Sequence, residues 1–229
     1  MKKNLLCLAI VLAHSISVFS QSKPSVTIFG DSYSTFEGYL TPDSMETWYF
    51  LNQNIPDRTD VKTVRQTWWW QVVQRMGWKL ERNNSWSGST ICNTGYDDAD
   101  YTHRSFITRH SNLGQPDIIL LFGATNDSWS GAPLGEFKFD NWKRADLYTF
   151  RPALAYLLSH MQDRYPTADI YYILNCDLKE EINSSVITIC QHYGLQVIRL
   201  SGIDKIADHP SIKGMQQIAD QVVSALKKK

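Results

Sequence analysis

A serine at the end of an apolar run can be made to attack a carbonyl, and this chain offers one in Gly30-Asp31-Ser32, directly after Val26-Thr27-Ile28-Phe29. A free hydroxyl is a weak nucleophile, so the chemistry requires an imidazole to take its proton as the bond forms. His103 and His110 lie in a polar stretch, His160 falls on a helical pattern and His192 near a helix end. His209 lies just before the last helical pattern. Taken alone the tripeptide is a weak signal, because ordinary residue usage produces it by chance in about one chain in twenty of this length. An Asp or Ser that simply caps a helical turn would look the same.

The elements that must position these groups are legible as apolar runs alternating with helical patterns. Val26 to Phe29, Ile118 to Phe122, Ile170 to Leu174 and Gln196 to Leu200 read as strands buried on both faces, with a weaker one near Trp78 to Arg82. Between them, Thr67 to Met76 stops at Gly77, Leu147 to Tyr165 stops at Pro166, and Glu180 to Tyr193 stops at Gly194. Ile212 to Leu226 closes the chain, with three lysines at its negative dipole end. This alternation predicts a three-layer α/β/α sandwich around a parallel sheet of about five strands. In such sheets the loops at the carboxyl ends of the strands build the site.

The chain of 229 residues, 43% hydrophobic and 20% charged with zero formal net charge, can bury one sizeable core and carries no global field for nucleic acid. Residues 1–20 read as an export signal: Lys2 and Lys3, an apolar run from Leu5 to Ala13 too short to span a bilayer, then small residues before Gln21. The expected product is a single exported domain over 21–229, periplasmic or secreted, with no membrane span left after cleavage. Cys92, Cys176 and Cys190 would remain, without metal-type spacing, and at least one of them must stay unpaired. The other histidines lack a carboxylate or thiol at ligand spacing, and Asp97, Asp98 and Asp100 lack the alternation of a calcium loop. Neither a metal nor a cofactor is expected. A polar and aromatic stretch over about 39–65, holding Pro42 and Pro56, fits no element and reads as an insertion beside the site.

Four short blocks in fixed order carry a family resemblance. Gly30-Asp31-Ser32-Tyr33-Ser34 is followed by Asn84-Ser85-Trp86-Ser87-Gly88-Ser89, by Gly123-Ala124-Thr125-Asn126-Asp127 after the strongest strand, and by His209-Pro210-Ser211. This resembles the SGNH (GDSL-type) hydrolase family, over residues 25 to 222, and the resemblance implies a flavodoxin-like version of the three-layer sandwich expected above. It implies Ser32 as nucleophile and His209 as general base. It also implies an oxyanion hole from the backbone N–H groups of Ser32 and Gly88 and the side-chain amide of Asn126. Donors of this kind are each worth about 3 kcal/mol in comparable enzymes.

The family usually orients its base with an Asp three residues before the His, where this chain has Ile206. Asp208 adjoins His209, but neighbouring side chains on extended backbone diverge. Asp204 could reach the ring if the chain coils and is the favoured third member, while a Ser-His dyad with a backbone carbonyl holding the ring stands beside it. Eight tryptophans are present, of which Trp86, near Gly88, and Trp129, near Asn126, could wall a substrate pocket. Trp68, Trp69 and Trp70 are expected to supply at least one core residue. The resemblance and the export signal imply hydrolysis of a small acyl ester, acetyl above others, and the tryptophans favour a carbohydrate as its carrier, within a partner class of small-molecule or glycan esters. The rivals are a lysophospholipase or thioesterase and a catalytically silent glycan-binding domain.

Overall fold

The computed structural model describes residues 22–228, so the export signal expected over 1–20 lies outside the described residues. Five parallel strands form one sheet in the order β2-β1-β3-β4-β5: β1 (Ser25–Gly30), β2 (Lys79–Ser85), β3 (Ile118–Phe122), β4 (Asp169–Leu174) and β5 (Gln196–Arg199). The helices are α1 (Trp68–Met76), α2 (Phe106–Arg109), α3 (Thr125–Ser130), α4 (Phe150–Arg164), α5 (Glu180–His192) and α6 (Ile212–Leu226).

Two apolar layers cover the sheet, and the strand period of two decides which residue joins which. Val26, Ile28, Leu120, Phe122, Tyr171 and Ile173 face a core shared with α1 and α6, while Phe29, Ile119, Leu121, Tyr172 and Leu174 face one shared with α2, α4 and α5. Trp68 and Trp69 are fully buried in the first core, and Trp70 packs against its edge. Helix boundaries follow local chemistry. The Thr67 side chain caps α1 at Trp70 N and Gly77 ends it at φ 69°, and the Ser211 hydroxyl caps α6 by accepting from Gly214 N at 3.1 Å.

The strand order reverses at β1. From it the chain crosses to β2 on one side and then to β3 on the other, which leaves a crevice at their carboxyl ends. Gly30 pairs with both Ser85 and Phe122, so three strands end level with one another. Ser32, the 86–89 loop and Asn126 leave the sheet along this one edge. The 39–65 segment holds an isolated bridge between Ile55 and Thr59 and ends in a 3-10 turn, Val64–Gln66, but has no α-helix or strand of its own. It is nevertheless tied down: Trp48 N donates to Thr35 Oγ1 at 2.9 Å, Ser87 N to Glu46 O at 2.9 Å and Glu37 N to Tyr49 O at 2.9 Å.

The last strands are a miniature hairpin, β6 (Lys205–Ile206) with β7 (His209–Pro210), in which Ile206 pairs with His209 and Lys205 with Pro210. Its two turn residues, Ala207 and Asp208, sit at φ 45° and 58°. Two positive values are what a two-residue hairpin turn demands, although neither residue is a glycine.

Candidate active site

Ser32 opens a 3-10 turn at the end of β1, and Asp31 caps that turn by accepting from Tyr33 N at 3.1 Å. The capping role and the nucleophile-elbow role of the tripeptide are thus compatible. Gly30 is required by space: a Cβ there would lie 2.5 Å from Ser34 Oγ and 2.8 Å from Ser85 Oγ. Ser32 Oγ and His209 Nε2 are 3.0 Å apart, hydrogen-bond distance for proton transfer from hydroxyl to ring. The two residues are 177 positions apart in sequence and meet because the β6–β7 hairpin ends over the carboxyl edge of β1.

The other ring nitrogen has a main-chain partner. His209 Nδ1 is 2.8 Å from the Ala207 carbonyl oxygen, so Nδ1 carries the proton and Nε2 is left free to accept from Ser32. The contact expected from Asp204 is not formed. Asp204 stands opposite Ser211, next to the hairpin, and Ser211 N donates to its carbonyl at 3.1 Å while the Ser211 hydroxyl donates to its carboxylate. Two residues along a strand is about 6.6–6.8 Å, enough to carry the carboxylate past the ring. Asp204 therefore braces the cap of α6, and Lys213 Nζ approaches it at 3.7 Å. The Asp208 side chain makes no hydrogen bond to the ring, while its carbonyl accepts from Tyr33 OH at 2.5 Å.

Two tyrosines pin the backbone on either side of His209. Tyr33 OH holds the Asp208 carbonyl and Tyr49 OH the Pro210 carbonyl at 3.0 Å. Burial pushes both hydroxyls well above the usual tyrosine range, so both remain donors. Three aromatic rings surround the imidazole: Trp48 stacked at 3.6 Å and 5°, Tyr33 at 5.3 Å and Trp129 at 5.7 Å.

Burial, opposed by the Ala207 bond and the Asp208 charge and reinforced by Arg58 and Lys205, lowers the His209 pKa from 6.5 to about 4. Only the neutral ring can accept the serine proton, so a lowered pKa extends the active range towards acid. The acid limb of kcat/KM is expected to have its midpoint near 4. A pH–rate profile of the free enzyme checks this, and a midpoint at the ordinary histidine value would contradict a buried, solvent-excluded base.

Gly88 lies in the loop after β2, and Asn126 of α3 is hydrogen-bonded to that loop at Ser89. Gly88 has φ 78°, a conformation that favours glycine, and is part-buried in the loop after β2. Asn126, in the first turn of α3, donates from Nδ2 to Ser89 O at 2.9 Å and accepts at Oδ1 from Tyr96 OH at 2.9 Å. A carbonyl can only accept, so the Ser89 contact fixes which end of the amide is nitrogen, and one Nδ2 hydrogen remains for a ligand. Burial lifts the Tyr96 hydroxyl to about 12, which keeps it a donor. Asp127 joins α3 to the loop after β2 by accepting from Ile91 N at 2.8 Å and Cys92 N at 3.2 Å.

Beneath these groups a fully buried arginine connects the pieces. Arg109 donates to Gly30 O at 3.2 Å, Asn84 O at 2.8 Å, Ser89 Oγ at 3.0 Å and Arg104 O at 2.7 Å, with its guanidinium against the paired rings of Phe29 and Phe106. Burial lowers its pKa to about 9, so it stays a cation at neutral pH, and its fork bonds the end of β1 and the 84–89 loop at once. Asp31, fully buried nearby, is raised by that burial to about 7.

The two tryptophans singled out as pocket walls occupy different places. Trp129 is 37% exposed beside the His209 and Tyr33 rings, while Trp86 has His103 at 5.8 Å and the Arg104 guanidinium at 5.4 Å as its ring partners. Cys92, Cys176 and Cys190 are all free thiols, the first and last of them buried. Among the described residues no group of three or more His, Cys, Asp or Glu could hold a metal ion. Sequence reasoning did not single out Tyr33, Trp48, Tyr49, Tyr96 or Arg109. Only Trp48 and Tyr49 had a signal, the aromatic content of the 39–65 stretch.

The profile of the GDSL-like lipase/acylhydrolase family matches residues 24–226. A solved structure from Bacteroides ovatus, described as a GDSL-like lipase, is 56% identical, covers 91% of this chain and 100% of its own, and superposes with a TM-score of 0.89. One from Bacteroides uniformis with the same description is 51% identical over 91% and 98% of the two chains, with a TM-score of 0.87. An acetyl xylan esterase from Butyrivibrio proteoclasticus shares the fold at 16% identity, over 90% of this chain and 64% of its own, with a TM-score of 0.56. No curated protein matches the chain.

Proposed function

Because the chain belongs to the GDSL-like lipase/acylhydrolase family and is an ester-hydrolysing enzyme, we propose that it removes a small acyl group, acetyl above others, from a carbohydrate through a Ser32–His209 dyad. The observation that carries this reading is the continuous line from Ser32 Oγ to His209 Nε2 at 3.0 Å and from Nδ1 to the Ala207 carbonyl at 2.8 Å. In this reading Ser32 Oγ attacks the ester carbonyl while Nε2 takes its proton. The oxyanion is held by the N–H groups of Ser32 and Gly88 and by Asn126 Nδ2. The imidazolium then protonates the departing alkoxide, and a water activated by the same nitrogen releases the acid from Ser32.

The acyl size is supported by crowding. Ser32 is 2% exposed and His209 6%, with Tyr33, Trp48 and Trp129 around the ring, which leaves little room for a long chain. The carbohydrate part is supported by flat aromatic surfaces, Trp129 on α3 and Trp86 with Tyr101 around Arg104, and by the acetyl xylan esterase among the structural neighbours. A silent glycan-binding role loses its motive, since the acceptor missing at Ile206 has a substitute in Ala207 O. In this reading the chain acts as one hydrolase domain over 21–229, with 39–65 as an insertion, and is exported by residues 1–20. No helix among the described residues is long and apolar enough to cross a membrane.

Acetate release by purified protein from a panel of O-acetylated glycans tests the reading, with a lysophospholipid and an acyl thioester as comparators. Acetate from at least one glycan and inertness on the long-chain substrates is the expected pattern, and the reverse would overturn it. Asp204→Asn, run on the same substrates, should keep most of the wild-type rate. A loss near the four orders of magnitude seen when a triad carboxylate is removed elsewhere would restore Asp204 as the orienting group.

A further inference from the structure

We propose that Trp48 is the positioning residue that completes the dyad, its indole face fixing the one motion of the His209 ring that the two hydrogen bonds leave free. The proposal rests on the reading of His209 as general base. The two ring bonds, Nε2 to Ser32 at 3.0 Å and Nδ1 to Ala207 O at 2.8 Å, use nitrogens whose hydrogen or lone pair is directed in the imidazole plane. They resist sliding within that plane but only weakly resist rocking about the line that joins the two partners, because the angular preference of a hydrogen bond is broad. A carboxylate in its usual place would suffer the same limitation. The indole of Trp48, parallel to the imidazole within 5° and 3.6 Å from it centroid to centroid, opposes that rotation directly.

The stack is itself held from both ends. Trp48 N donates to Thr35 Oγ1, and that hydroxyl donates to Ser32 O at 2.9 Å, so the indole is referenced to the backbone of the nucleophile. On the opposite face the Arg58 guanidinium lies 4.1 Å from the indole centroid, with Nη2 on Trp48 O at 3.3 Å. Arg58, Trp48 and His209 thus form a three-layer stack, two layers of which come from the 39–65 segment. That segment therefore contributes to base placement and not only to the substrate rim. As His209 gains its proton in the transition state, the indole's electron-rich face also meets a cation there, an interaction absent in the ground state.

Trp48→Leu, which keeps an apolar side chain but removes the planar face, is expected to lower kcat on a small activated acetyl ester by about a hundredfold, the scale set by small misplacements of reacting groups. KM should change little. Trp48→Phe should recover most of that loss. A role confined to packing would instead lower the melting temperature, more for Leu than for Phe, and leave kcat alike in the two variants. Thermal melting of each variant separates unfolding from misplacement. Labelling of Ser32 by a fluorophosphonate should slow in step with kcat. A readout independent of turnover is the low-field His209 Nδ1 proton in NMR spectra, expected to be sharp in the wild type and in Trp48→Phe and broadened by exchange in Trp48→Leu. Equal kcat in the Leu and Phe variants, with an unchanged Nδ1 resonance, would overturn the proposal. A wild type inert on every ester that still shows this resonance pattern would overturn the esterase reading while upholding the placement of the ring.

Discussion

Ser32→Ala is expected to reduce ester turnover by about four to six orders of magnitude, the range seen when the nucleophile of a serine hydrolase is removed. Its melting temperature should barely move. The mutation removes one hydroxyl whose partner is His209 Nε2, and a single hydrogen bond of this kind contributes only about 1 kcal/mol to stability. The turn that carries it is built from other groups: the Asp31 cap on Tyr33 N, the Thr35 hydroxyl on the Ser32 carbonyl, and the Arg109 bond to Gly30 O. Acetate release and circular dichroism on the same preparation check both halves. Undiminished turnover would remove Ser32 from the chemistry, while an unfolded variant would mean that the hydroxyl is structural.

Asn126→Ala comes next in expected size, with kcat falling by about a hundredfold to a thousandfold. The reason is differential binding. A ground-state ester carbonyl is a modest acceptor, whereas the tetrahedral oxyanion is a strong one, so a donor aimed at it acts mainly on the barrier and leaves KM nearly unchanged. The Tyr96 bond to Asn126 Oδ1 should sharpen this, because donating to the amide oxygen polarises the N–H groups on the other end. Steady-state kinetics on a small acetyl ester decide the matter. A variant that loses affinity but not kcat would make Asn126 a wall of the pocket and not a donor.

Most of the sheet could be read from the sequence because parallel strands covered on both faces announce themselves as unbroken apolar runs. Ile118 to Phe122 and the last helix, Ile212 to Leu226, coincide with β3 and α6 to the residue. The helix read from Leu147 begins at Phe150, after a 3-10 turn over Arg144–Tyr148, and β2 runs on to Ser85 through polar residues that no hydropathy pattern marks. Neither α2 nor α3 was anticipated. Each is shorter than two helical turns, too short for a periodicity to emerge, and α3 starts from Ala124 at φ 76°, a left-handed cap that residue type does not advertise.

The site divides in the same way. Ser32, Gly88, Asn126 and His209, the proposed nucleophile, oxyanion donors and base, could be nominated because residue identity and spacing in four blocks carry the family resemblance. Trp48 was hidden by distance, since nothing local says that an indole in an irregular segment will stack on a ring 161 residues later. Asp204 was favoured because a carboxylate is a visible candidate for an acceptor. The hairpin register, with Ile206 opposite His209, takes that carboxylate out of reach and presents a main-chain carbonyl in its place.

An orienting acceptor that belongs to the peptide backbone has a consequence for heredity and for the bench alike. No codon change deletes it. Substituting Ala207 with any residue that tolerates its backbone conformation leaves the carbonyl where it was, so a side-chain scan would pass over one of the groups nearest the base without a signal. The vulnerable quantity is the shape of the two-residue turn, which depends on the positive φ of Ala207 and Asp208. Proline at either position, with its φ locked near −65°, should move the carbonyl away from the ring. Glycine, free to adopt the same angles, should leave it in place. With the Ala207 carbonyl as the proposed partner of the base, selection on that partner would act through which residues can bend the chain, and not through which residues carry a charge.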